Sequence, residues 1–212
     1  MKKKIALMVT SLVLVVAMAV GGTLAYMSHT TQSVENTFTV GSVAITLDEA
    51  KVNTAGEKVD ADGTVNQNST ARVTEGNEYR LFPGRTYVKD PTVHVTANSE
   101  PCYVFVKVEN GISDYEVTGE GSIASQIDDS WTLVTGETNI YYYNTLVPTS
   151  SSVQDLVVFE QFTINSGLGN ADFEQFGTPV ITIVAYAIQA DTFDNANAAW
   201  AAAPSNWTAS AP

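Results

Sequence analysis

The chain has 212 residues, with 23 acidic and 10 basic side chains and a formal charge of −13. An acid excess of this size excludes nucleic acid and anionic membrane surfaces as partners, because both require basic patches. Cys102 is the only cysteine, so an intramolecular disulfide is excluded as well.

Residues 1–25 read as a secretory signal. Lys2, Lys3 and Lys4 form the positive n-region, Ile5 to Val20 is uncharged and apolar, and Gly21 and Gly22 end the run. Thr23 and Ala25 are the small residues a signal peptidase reads, which places the cut between Ala25 and Tyr26. A retained membrane anchor is the competing reading, since about 20 apolar residues cross a bilayer. Cleavage leaves 187 residues, seven basic against 23 acidic, a net charge of −16. That length suits one domain with its own core.

Residues 26–40 form an N-terminal arm leading into the first strand, and residues 41–203 the domain proper. Phe38 to Leu47 alternates and is rich in β-branched residues, as a strand does. Asp48 to Arg72 is polar, with Gly56, Gly63 and several Asn, and reads as a long exposed loop or ragged hairpin. Within it Asp60, Asp62 and Asn66 alternate around Gly63, a candidate calcium loop. The competing reading is an ordinary Asx-Gly turn, because Lys58 stands where an acid would open a full EF-hand loop.

Tyr79 to Phe82 is a short apolar run stopped by Pro83 and Gly84. Thr86 to Ala97 reads as one strand, with Pro91 marking an edge or bulge. Val93, Val95 and Ala97 share one face, and His94, Thr96 and Asn98 the other. Tyr103 to Glu109 is the strongest strand, one face wholly Val, and it makes Cys102 a buried small apolar residue. Trp131 to Val134 and Ile140 to Tyr143 read as a strand pair, and Leu156 to Ile164 as a further strand. Val180 to Ile188 is almost continuously apolar and reads as a strand buried on both faces. Phe193 to Ala203 is Ala-rich and reads as a short helix, and residues 204–212 as a loose tail. The pattern gives an all-β, antiparallel two-sheet sandwich or jelly roll with a short C-terminal helix.

Catalytic patterns are scarce. The two histidines, His29 and His94, form no His-Glu-x-x-His, and no Gly-x-Ser-x-Gly occurs. A dyad of Cys102 with His94 competes poorly with two unrelated strand positions. Tyr141 and Tyr143 share one strand face; they are a candidate sugar platform or, more simply, core rings.

The segment Gly21 to Met27, followed by Asn36 to Gly41, resembles exported Gram-positive proteins with a SipW-dependent type of signal peptide, the TasA and camelysin-like family. Leu81 to Val95 and Tyr103 to Gly111 resemble its clostridial branch. The resemblance implies a jelly-roll domain that is secreted to the extracellular matrix or cell surface. It implies subunits of biofilm-matrix fibres that self-associate by donor-strand exchange. The arm from Tyr26 to Thr39 would be the donor, with Tyr26, Val34, Thr37 and Phe38 as its contacts. A SipW-type signal peptidase is the implied processing partner, with no membrane attachment after cleavage. Camelysin-like proteins are described as metallopeptidases, but no matching ligand cluster is visible, so the chain is expected not to be an enzyme and to need no cofactor beyond the candidate calcium. The alternatives are an adhesin or carbohydrate-binding module using Tyr141 or Trp131, and a camelysin-like metallopeptidase.

Overall fold

Ten strands and three short helices make up residues 41–204, the part of the chain that the computed structural model describes. The expected signal, the expected cleavage position at Ala25 and Tyr26, and the expected arm contacts Val34, Thr37 and Phe38 lie outside the described residues. The strands are β1 (Ile45–Ala50), β2 (Arg72–Val73), β3 (Thr86–Val88), β4 (Thr92–Val95), β5 (Cys102–Asn110), β6 (Trp131–Leu133), β7 (Ile140–Tyr143), β8 (Gln154–Val157), β9 (Gln161–Thr163) and β10 (Ile181–Gln189). The helices are α1 (Ile123–Gln126), α2 (Asn170–Glu174) and α3 (Ala196–Ala201).

The architecture is the antiparallel all-β sandwich that the alternation implies. One four-stranded sheet has the order β2-β1-β4-β8, the other β10-β5-β7-β6, and β3 and β9 form a two-stranded ribbon. Val93, Val95 and Leu156 from the first sheet meet Val104, Val106, Val108 and Trp131 from the second in one core. Val93, Val104 and Val106 are fully buried. The all-Val face of β5 therefore supplies the centre of the sandwich, where stiff β-branched side chains pack well on a pleated surface. The opposite face of β5 carries Phe105, which forms a smaller cluster with Ile140, Val134 and the helix residues Ala196 and Ala199. Asn195 caps α3 by accepting from the Ala198 amide at 3.0 Å.

Two stretches that read as single strands are each divided. Thr86 to Ala97 becomes β3 and β4, and Leu156 to Ile164 becomes β8 and β9, with the halves in different sheets. The two breaks lie opposite each other. The Lys89 amide donates to Glu160 O at 3.0 Å, and the Val158 amide donates to Pro91 O at 2.9 Å. Proline cannot donate to a ladder, so the pair of strands bends at Pro91 and passes from the sheet into the ribbon.

The region after β1 takes the ragged-hairpin form of the two readings, not that of a long exposed loop. β1 itself runs on to Ala50 because Asp48 and Glu49 find cationic partners. Short bridges then join Val52 to Lys58 and Val59 to Val65, and Val52 and Val59 are buried. Asx turns hold these bends: Asn53 Oδ1 accepts from the amides of Ala55 and Glu57, at 2.9 and 3.0 Å.

Candidate functional site

β10 departs from its expected burial. Its odd side chains, Ile181, Ile183, Ala185 and Ala187, pack on the main core, and Tyr186 and Ile188 pack on the smaller cluster. Both faces are therefore apolar and in contact. Yet the strand is only half-buried along nearly its whole length, and among the described residues it occupies the outer position of its sheet. All nine residues pair with β5, from Ile181 opposite Asn110 to Gln189 opposite Cys102, and among the described residues β5 is its only strand partner. The other outer strands are short: two residues in β2, four in β8 and three in β6. Short edges are a common defence against edge-to-edge pairing, and β10 lacks it.

The outer face of the first sheet carries a polar network. His94 on β4 is held between two carboxylates, with Nδ1 at 2.6 Å from Asp155 Oδ1 and Nε2 at 2.7 Å from Asp48 Oδ1. Arg72 Nε donates to the same Asp48 oxygen at 2.5 Å, and Nη1 to Asp90 Oδ2 at 3.2 Å. Burial disfavours the charged ring, but the two carboxylates outweigh it, and the His94 pKa is raised. Burial likewise opposes ionisation of Asp48, but His94 and Arg72 prevail and its pKa is lowered.

A cleft of about 560 Å³ opens beside the end of β5, lined by Asn110, Glu116, Asn139 and Tyr141 among others. Glu116 there accepts from Asn110 Nδ2 at 2.8 Å and from the Ile123 amide at 2.9 Å, so it caps the start of α1. Burial raises its pKa.

The candidate calcium residues form a closed turn. Asn66 Nδ2 donates to both Asp60 oxygens, at 3.0 and 3.1 Å, and Asp62 Oδ1 accepts from the Thr64 amide at 2.9 Å. Cys102 is fully buried, as its strand position implies, and burial pushes its thiol up to about 11. It sits in the sheet opposite to that of His94, and both nitrogens of His94 are engaged, so the two form no dyad. Trp131 is buried with Nε1 donating to Val157 O at 2.7 Å, and Tyr141 and Tyr143 pack on the main core. Trp131 therefore serves the core, and Tyr141 and Tyr143 pack on it while remaining half-buried. Sequence reasoning missed the convergence of Asp48, Arg72, Asp90, His94 and Asp155. Alternation placed His94 on a polar face, but nothing in the order of residues shows which acids stand across from it.

A family model described as camelysin metallo-endopeptidase matches residues 1–67, roughly a third of the chain. No curated protein and no solved structure matches. The match overturns the expectation that the chain is not an enzyme, because the matching family is one of peptidases. Among the described residues, however, no three His, Cys, Asp or Glu side chains are grouped to hold a metal ion. The described residues therefore do not fit a catalytic metal, and no hydrolytic step follows from them. The N-terminal third of this chain is similar to the camelysin metallo-endopeptidase family, which supports the resemblance to the camelysin and TasA-like group.

Proposed function

We propose that this is a secreted structural protein of the cell surface or biofilm matrix, and that its copies assemble by donor-strand exchange into fibres. The observation that carries the reading is β10, a nine-residue apolar strand at the outer position of its sheet among the described residues. An extended arm laid along such an edge gains backbone hydrogen bonds, and its alternate side chains find apolar pockets. The arm is the segment from Tyr26 to Thr39, which enters the domain just before β1, with Tyr26, Val34, Thr37 and Phe38 as the contacts. Placed on the next copy, it makes a heterologous contact, which propagates into a filament when the rotation does not close. A SipW-type peptidase cutting after Ala25 frees the arm to reach a neighbour. Deleting residues 26–39 tests this: negative-stain images should show monomers in place of filaments, and a synthetic arm peptide should bind the truncated protein. Filaments that persist after the deletion would refute the mechanism.

A metallo-endopeptidase is the second reading, and the family match alone favours it. Casein digestion by the full mature chain, with and without added Zn²⁺, decides it. Calcium at Asp60, Asp62 and Asn66 is checked by thermal melts with and without the ion.

A further inference from the structure

Glu49, Lys89 and Asn77 form a cluster that neither export nor assembly uses. Glu49 and Lys89 are each only 6% exposed. Lys89 Nζ donates to Glu49 Oε2, and Asn77 Nδ2 donates to Glu49 Oε1 at 2.7 Å. One carboxylate thus bridges an amine and a carboxamide, one on each oxygen. The carboxamide is held on its other sides too. Its Oδ1 accepts from the Val52 amide at 3.0 Å, its Nδ2 also donates to Ala50 O at 2.9 Å, and the Asn77 backbone amide donates to Glu49 Oε1 at 3.1 Å. Asn77 and Lys89 line the same cleft of about 580 Å³, with the rings of Tyr79 and Phe162 as its apolar walls.

A structural ion pair needs only the first of these contacts. The remainder matches what acyl transfer to an amine requires: a nucleophilic nitrogen beside an acid–base group, a carbonyl carbon nearby, and an N–H donor on the carbonyl oxygen where negative charge develops. We propose that Lys89 and Asn77 become joined by an intramolecular amide bond, with Glu49 as the proton carrier.

The step balances without any co-reactant. Glu49 takes a proton from the Lys89 ammonium, leaving a neutral amine and a neutral acid. Nζ attacks Asn77 Cγ, forming the Nζ–Cγ bond, while the charge on Oδ1 is met by the Val52 N–H. The Cγ–Nδ2 bond breaks with its electron pair on nitrogen. Glu49 relays the second Nζ proton to that nitrogen, which leaves as ammonia. The proton still on Glu49 departs with it as ammonium, and Glu49 returns to a carboxylate. Nothing is oxidised or reduced.

The product ties the irregular stretch before β3 to the residue that follows β3, across the end of β1. A chain with one cysteine cannot make such a tie by disulfide.

Intact mass spectrometry of the full mature protein tests the proposal. Its mass should fall short of the sequence mass by one ammonia. Trypsin should then fail to cut after Lys89, and the peptide 73–80 should appear joined to the peptide 86–107. Glu49→Gln and Asn77→Ala should each restore tryptic cleavage after Lys89, and Glu49→Gln should also restore the full mass, with the β circular dichroism retained. A wild-type chain of full mass overturns the proposal. So does an ammonia loss with Lys89 still cleaved, which would signal cyclisation of Asn77 on its own backbone. The wild-type masses decide the question even if a variant fails to fold.

Discussion

His94 on β4 stands directly opposite Asp155 on β8, and their side chains meet at 2.6 Å. Asp48 on β1 closes on the other ring nitrogen, so one imidazolium clips three strands of a sheet together. Neither contact depends on the core beneath, yet together they join the outer faces of elements far apart in the chain.

This clip makes stability depend on pH. The folded-state pKa of His94 is raised above 6.5, so its contribution is fully present below about pH 6.5 and is lost as pH rises through the folded value. Asp48 acts in the opposite sense: its pKa is lowered from 3.8, so its contribution is lost as pH falls through the folded value. Asp155 is 63% exposed, and solvent screens its share. Urea unfolding should show wild type losing about 1 kcal/mol between pH 5.5 and 8.5, the size expected of a partly exposed ion pair. His94→Gln should flatten that dependence.

Phe105 is fully buried and packs against Trp200 at 5.6 Å and Tyr186 at 6.3 Å between ring centroids. Phe105→Ala should cost about 3–5 kcal/mol in urea unfolding, by lost transfer energy and the cavity left behind. The same change should loosen α3, read as faster amide exchange at Ala199, because Phe105 is the fully buried ring of the cluster on which that helix rests.

Gly56 has φ +74°, and an added Cβ would lie 2.6 Å from Tyr87 Cδ1 and 3.0 Å from Tyr87 Cα. Tyr87 is fully buried and stacks on Phe162 at 5.3 Å. Gly56→Ala therefore combines a disfavoured backbone region with a clash into the core, and should cost about 2–3 kcal/mol. Gly63 also has a positive φ, of +90°, but open space around it. Gly63→Ala should cost only about 1 kcal/mol, and thermal melts of the two variants separate the clash from the conformational term.

Cys102 should be inert in the native state. Its thiol is fully buried and its pKa is pushed up to about 11. A disulfide reagent at pH 8 should modify it at the rate of unfolding, and at full speed once the chain is in urea.

Strand positions were legible wherever a local rule was enough. The Val face of β5, the pairing of β6 with β7 and the burial of Cys102 all follow from period-two alternation and turn residues, which act over a few positions. The short α1 and α2 were not legible. They are too brief to show a helical period, and each is held by contacts from elsewhere, as Glu116 holds the first turn of α1.

The amino-acid order by itself determined the fold class, because alternating β-branched residues punctuated by Gly, Pro and Asn admit little else. It did not determine where each strand sits in its sheet. β10 reads as a buried strand because its side chains are apolar on both faces, and those faces do pack. Its place at the sheet margin among the described residues is set by hydrogen-bonded neighbours, which side-chain pattern does not encode. The same holds for Glu49, Asn77 and Lys89. Each is an ordinary polar residue in the sequence, and only the bend at Pro91 and the turns after β1 bring amine, carboxylate and carboxamide into hydrogen-bonding reach.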